Sequence, residues 1–263
     1  MSDRNWIRVQ RDARGVATVT LDNAAKLNVL NPPIMTELIA AMQRLAGDPT
    51  LRAVVLTGAG QRAFIGGADI EVMATLDANT AHGFITLVHQ SCEAFRCMPV
   101  PVVARIRGWA LGAGLEVAAS CDFRIASSDT RVGMPEVRVG IPSVVEAALL
   151  PGLIGWGRTR RLLLTGETID AATALAWGMV EEVVPPSELD AAVERALDGI
   201  LASGPQAVRL QKALIADWEQ SSLETAIQHG IGRFVDAWRT DEPKRMMRTF
   251  TTRRRATHKP ANP

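Results

Sequence analysis

Long apolar runs, paired cysteines and an excess of either charge are all missing from this sequence of 263 residues. No stretch approaches the roughly 18 consecutive apolar residues of a membrane-spanning helix. The opening Met1-Ser2-Asp3-Arg4-Asn5 is polar with no apolar stretch behind it, so no leader is expected either. Three cysteines, Cys92, Cys97 and Cys121, are odd in number and lack zinc-type pairing, which argues against a disulfide framework and against a metal cluster. A reducing, cytoplasmic setting is the expectation. The four histidines, His82, His89, His229 and His258, show no ligand spacing, so no metal is expected in the site. A formal net charge of +1 gives no global field to draw in nucleic acid or a membrane surface. The basic residues near the C-terminus, Lys244, Arg245, Arg248, Arg253, Arg254, Arg255 and Lys259, read on their own as a solvated helix face. There is no Gly-x-x-x-x-Gly-Lys phosphate loop and no Gly-x-Ser-x-Gly nucleophile elbow. Gly58-x-Gly60-x-x-Ala63 matches a loose dinucleotide fingerprint, but the chain then re-enters glycines instead of opening a helix.

What is present is an ordinary globular composition, 47% hydrophobic and 22% charged, long enough to bury a sizeable core. Trp6 to Gln10 and Val16 to Leu21 alternate around Asp12 to Gly15, which predicts a hairpin. A helix is predicted from Pro33 to Leu45, with Asn31 as its cap. Leu51 to Thr57 reads as a buried strand ending in Gly58-Ala59-Gly60. Pro101 to Ile106 is a second strand, Gly108 to Gly114 a glycine turn, Leu115 to Ala119 a helix and Asp122 to Ala126 a further strand. This alternation predicts an α/β fold. After Pro185-Pro186 the periodicity is helical: Ser187 to Leu201, Pro205 to Trp218, Leu223 to Trp238 and Pro243 to Arg255. A tail carrying Trp218, Phe234, Trp238 and Phe250 is expected to pack against the core or another subunit.

The chemistry concentrates in three places. Phe64-Ile65-Gly66-Gly67-Ala68-Asp69-Ile70 is either a tight turn capped by Asp69 or a place where a ligand lies against backbone beside a helix opening near Ala68. Gly108 to Gly114 has the same form, and two such turns can bring two backbone amides together as an oxyanion hole. Glu116 stands alone in the apolar stretch from Gly108 to Asp122, where burial would raise a carboxyl toward the working pH, although acids also favour first turns for dipole reasons. Glu136, after Met134-Pro135, is a second isolated acid, or simply a helix-start residue.

These segments resemble the crotonase (enoyl-CoA hydratase/isomerase) superfamily along almost the whole chain. The matching residues are Lys26 to Leu30, Ala53 to Gly58, Phe64 to Ile70, Gly108 to Asp122, Met134-Pro135-Glu136 with Gly140-Ile141-Pro142, Leu164-Thr165-Gly166, and Ala176 to Val180. The resemblance implies a spiral of ββα turns over residues 1–200, followed by a helical oligomerisation region, 201–263, that packs trimers or dimers of trimers. It implies an acyl-CoA substrate, with coenzyme A entering as part of that substrate and no separate cofactor. By the same resemblance Gly66 and Ala113 supply the two oxyanion amides, Glu116 activates water and Glu136 delivers a proton to C2. Lys26, Gly67, Ala68, Asp69 and Ile70 border the thioester and its coenzyme A, and Phe250 and Arg253 reach the coenzyme of a neighbouring subunit. The implied reaction is hydration of a 2-enoyl-CoA to a 3-hydroxyacyl-CoA. The alternatives are a double-bond isomerase and a non-catalytic CoA-ester- or RNA-binding member of the same fold. The sequence departs from the pattern at Ile141 to Leu150, where hydratases carry a glycine-rich stretch. Glu146 within it is either a third acid facing the acyl group or an exposed helix residue.

Overall fold

The computed structural model describes the backbone of residues 5–257 and the side chains of residues 5–249 and 251. Strands β1 (Ile7–Arg11) and β2 (Val16–Leu21) form the predicted antiparallel hairpin. Its turn is closed by Asp12, whose carboxylate accepts the amides of Arg14 and Val16. Helix α1 (Pro32–Ala46) follows. Asn31 caps it by accepting the Ile34 amide at 3.1 Å, and Ile34, Met35, Leu38, Ala41 and Met42 form its buried stripe.

From there one unit is repeated: a strand of one sheet, a short strand of a second sheet, then a helix. The first turn is β3 (Ala53–Gly58), β4 (Ala63–Ile65), a one-turn helix α2 (Ile70–Met73) and α3 (Ala78–Arg96). The second is β5 (Val102–Ile106), β6 (Trp109–Leu111) and α4 (Ala113–Ala119). The third is β7 (Phe123–Ser127), β8 (Arg131–Gly133) and α5 (Leu150–Thr165). The chain continues through β9 (Thr168–Asp170), α6 (Ala171–Trp177), β10 (Glu182–Val184) and α7 (Leu189–Leu201). The larger sheet has the order β1-β2-β3-β5-β7-β10 and the smaller β4-β6-β8-β9. From β2 onward the larger sheet is wholly parallel, while the smaller ends in an antiparallel β8–β9 pair. A parallel sheet covered on both faces buries nearly every residue, and β2 and β3 do so along most of their length. The architecture is therefore α/β, a crotonase-type spiral of ββα turns with helices at its C-terminal end.

Several elements depart from the sequence reading. The helix anticipated near Ala68 starts at Ile70, because Asp69 is its cap: the Asp69 carboxylate accepts the Glu71 amide at 3.0 Å. The glycine turn Gly108 to Gly114 contains β6, and α4 begins at Ala113. Helix α3 carries a capping box between Asp77 and Thr80, and its buried residues Phe84, Val88, Ser91, Cys92 and Phe95 pack it on α1 and α4.

The described residues divide into a unit ending at Leu197 and one starting at Asp198. In the second unit are α8 (Pro205–Gln220), α9 (Leu223–Ala237) and α10 (Glu242–Thr257). The Glu242 carboxylate, itself buried, closes the start of α8 by accepting the amides of Gln206 and Ala207. Ile227, Ile231, Phe234 and Val235 of α9 stand exposed along one helix.

Candidate active site

Helix α4 is buried along its whole length, with all seven residues inside. Gly114 makes this possible: a Cβ there would stand 2.1 Å from the Ile65 carbonyl of β4. The helix therefore lies directly on the smaller sheet, and this close approach carries Glu116 into the interior, 4% exposed. Glu116 Oε1 accepts the Ala147 amide at 3.1 Å. Burial pushes the Glu116 carboxyl from an ordinary 4.5 up to about 8, and the nearby charges of Glu136 and Glu146 add to this against the single Ala147 hydrogen bond.

Glu136 opens a 3-10 turn, Glu136–Val139, directly after β8 and Pro135. Its side chain reaches Gly112, where φ is +51° and a Cβ would stand 2.2 Å from Oε1. Its other oxygen accepts the Ser143 hydroxyl at 2.9 Å. Burial raises the Glu136 carboxyl too, against the lowering influence of its backbone and Ser143 hydrogen bonds.

Both acids line one cavity of about 620 Å³, together with Gly66, Gly67, Ala68 and Ala113. The rest of its wall is mainly apolar: Met73 and Leu76, then Phe84, Ile85 and Val88 of α3, and Val139, Ile141 and Val144. An apolar cavity with a few convergent polar groups is the usual form of a small-molecule site. None of the α3 wall was apparent in the sequence, and Ser143 and Ala147 had no signal of their own.

Both glycine turns contribute backbone to the cavity wall, but the Gly66 amide, expected as a donor to a ligand, is engaged elsewhere. The Gly66 amide donates to the Leu27 carbonyl at 2.9 Å, so it is already satisfied by backbone. One residue on, the Gly67 carbonyl accepts the Leu30 amide at 2.8 Å. In a trans peptide the N–H that follows points the opposite way, so the Ala68 amide is turned from the Leu30 segment, and it has no hydrogen-bond partner among the described residues. The same reasoning holds at α4. The Gly112 carbonyl accepts the amides of Leu115 and Glu116, which turns the Ala113 N–H outward from the first helical position, also without a partner among the described residues. Ala68 and Ala113, one from each glycine turn, thus both bring an N–H without a partner among the described residues to the cavity wall.

The other expected residues are spread around this centre. Ile70 lines the cavity; Asp69 is buried as the α2 cap. Lys26 is exposed and ion-paired with Glu71 at 2.8 Å, outside the cavity wall. The side chains of Phe250 and Arg253 lie outside the described residues. Glu146 is neither of the two things its sequence context allowed. It is 4% exposed yet absent from the cavity wall, and its Oε1 meets His89 Nδ1 of α3 at 2.7 Å. Among the described residues no group of His, Cys, Asp and Glu is arranged to hold a metal ion, and no helix is long and apolar enough to cross a membrane.

Comparison with known proteins gives consistent relatives. The family described as Enoyl-CoA hydratase/isomerase matches residues 11–260. The chain is 35% identical over 249 residues to a protein named short-chain-enoyl-CoA hydratase of Clostridium acetobutylicum, covering 91% of this chain and 92% of that one. It is also 35% identical over 242 residues to a crotonyl-CoA hydratase of Syntrophomonas wolfei, covering 92% and 93%. Among solved structures, an enoyl-CoA hydratase from Bacillus anthracis superposes with a TM-score of 0.91 at 31% identity, covering 95% of this chain and 97% of that one.

Proposed function

The chain belongs to the enoyl-CoA hydratase/isomerase family, and from that premise we propose that it adds water across the 2,3 double bond of a 2-enoyl-CoA thioester to give the 3-hydroxyacyl-CoA. The observation that carries this reading is the meeting, in one apolar cavity, of two carboxyls whose proton affinity burial raises and two backbone amides without a partner among the described residues.

The mechanism follows from where charge develops. Hydroxide addition at C3 drives electrons onto the thioester oxygen, and donors fixed in advance there stabilise the enolate-like state without reorganisation. The amides of Ala68 and Ala113 take that part, in place of Gly66 and Ala113. Glu116, with a proton affinity close to neutrality, is matched to removing a proton from water as the hydroxyl forms its bond to C3. Glu136, steadied by Ser143, delivers the proton to C2. The two acids lie on one cavity and interact, so they titrate as a pair that holds one useful proton. The glycine-rich segment from Gly66 to Asp69 lies along the thioester, and the apolar wall of α3 receives the acyl chain. Coenzyme A enters as part of the substrate, and these four groups supply the chemistry the reaction requires.

The exposed apolar residues of α9 support assembly with further copies of the chain, as a trimer or dimer of trimers. The three free cysteines, two of them buried, suit a reducing cytoplasmic setting. The test is direct: crotonyl-CoA added to the folded protein should lose its conjugated thioester absorbance as the 3-hydroxy product forms. Unchanged absorbance with crotonyl-CoA, joined to a gain of conjugation from a 3-enoyl-CoA, would replace hydration by double-bond isomerisation. Absence of thioester binding by calorimetry would leave a non-catalytic role.

A further inference from the structure

Behind the cavity lies a third acid that the hydration chemistry does not use. Glu146 sits in the 3-10 turn Val145–Leu149, next to Ala147, whose amide holds Glu116. One of its oxygens meets His89, the other is buried with no oxygen or nitrogen partner among the described residues, and the Cys92 thiol of α3 lies against the carboxylate. An ionisable side chain in such a place is costly, and an apolar replacement of similar size usually stabilises a fold.

The backbone beside it is held in an unusual state. Val145 has φ +41°, a left-handed conformation that a β-branched side chain strongly disfavours. Such a residue persists only where its surroundings over-determine it. Three contacts hold the segment here: the Ala147 amide reaches both the Val144 carbonyl and Glu116, and Glu146 meets His89. His89 follows Val88, which walls the cavity, and its Nε2 is 3.7 Å from Glu93 on the next turn of α3. The Glu146 side chain thus ties the strained turn to the helix that lines the acyl-binding wall.

We infer that Glu146, anchored by His89, is a positioning residue for Glu116: it fixes the Ala147 amide against Oε1, leaving Oε2 for the reacting water. Its closeness to Glu116 also favours the protonated form of that acid, after the larger effect of burial. Three side chains bear on this group from the elements around α4. Glu136 and Glu146 contribute charge, and Cys92 of α3 is kept a neutral thiol by burial and by both Glu146 and Glu116. His82 of α3 lines the same cavity, while His89 and Glu93 act through Glu146. Arg124 of β7 is engaged at the far end of α4, with the Ala118 and Cys121 carbonyls and with Glu181.

The kinetic part of this inference rests on the hydratase reading, but the titration part does not. Glutamate carboxyls labelled with carbon-13 can be followed by NMR, with Glu116 assigned from the spectrum of Glu116→Gln. In Glu146→Gln, which keeps the shape and the acceptor for His89, the Glu116 titration should fall by about one pH unit. An unchanged or raised titration overturns the electrostatic half, whether or not the protein hydrates anything. His89→Leu, made at a half-exposed position, releases the anchor. It should lower kcat for crotonyl-CoA hydration by about tenfold or more while KM stays within about twofold, because a misplaced base harms the chemical step and not binding. A normal kcat, or a fall shared equally with binding, overturns the positioning half.

Discussion

Replacing Glu116 by glutamine should stabilise the protein in alkali while disabling it. Near pH 5 the folded chain keeps a proton on Glu116, since burial has moved its carboxyl from 4.5 to about 8. Glutamine is then close in shape and charge to what it replaces, and the Ala147 amide still finds an oxygen. In the unfolded chain the carboxyl ionises near 4.5, so each step in pH above that value favours unfolding until the folded group also ionises near 8. The raised value therefore contributes stability that is complete below 4.5 and lost as pH climbs through 8. The gap between the two values converts to on the order of 5 kcal/mol, and glutamine escapes the whole of it. Urea unfolding followed by tryptophan fluorescence at about pH 5, 7 and 9 measures the difference through the midpoint and slope. The variant should match the parent at the lowest pH and exceed it increasingly above, while hydration of crotonyl-CoA falls by at least about a hundredfold. A stability difference that is flat with pH, or a variant weaker than the parent near pH 9, would mean that the carboxyl is not held neutral by its surroundings.

Ala113→Pro is a selective probe of the oxyanion amides, because proline is tolerated at the first position of a helix and removes only an N–H that has no helical partner. It should lower kcat by about a hundredfold to a thousandfold with the fold intact by circular dichroism; retention of normal turnover would remove Ala113 from the site. Ser143→Ala takes away a hydrogen bond that favours the ionised form of Glu136. The Glu136 limb of the pH profile of kcat/KM should move upward, and a downward movement would contradict the contact. Gly112→Ala drives a Cβ into the Glu136 carboxylate at a left-handed backbone position. Activity should drop at least tenfold and stability by about 1–3 kcal/mol in the same urea experiment, and an active, equally stable variant would show that the carboxylate lies elsewhere.

What was legible in the sequence was legible for local reasons. The β1–β2 hairpin, α1 with its Asn31 cap, and the helices after Pro185 each show a period, a cap or a breaker within a few residues. Helix α3 was missed although it is 19 residues long: its opening Asp77-Ala78-Asn79-Thr80 is polar, and two of its buried positions are Ser91 and Cys92. The strands β4, β6, β8 and β9 have three residues each, too few for any alternation to appear. They exist because neighbouring strands pair with them, and that pairing is brought about by the spiral, not by their own composition.

The site divides along the same physical line. Glu116 stood out because a single carboxylate in an apolar stretch forces a choice between burial with a raised proton affinity and an exposed hydrophobic face. Glu146 is likewise alone among apolar neighbours from Val144 to Leu150, but what its burial meets is not local, because its partner, His89, lies 57 residues away. The exchange of Gly66 for Ala68 has a different cause. Which residues bury is written in their side chains, but which way an amide points is a property of the peptide plane, and here it is set by Gly67 at φ +114° and by the Leu27 and Leu30 segment that occupies one side of the turn. That segment lies more than 30 residues earlier. A glycine pair announces that backbone can be exposed to a ligand; which of its N–H groups remains unused is decided by the strand that satisfies the others. The donors of this site are therefore determined as much by Leu27 and Leu30, which touch no substrate in the proposed mechanism, as by the two alanines that offer them.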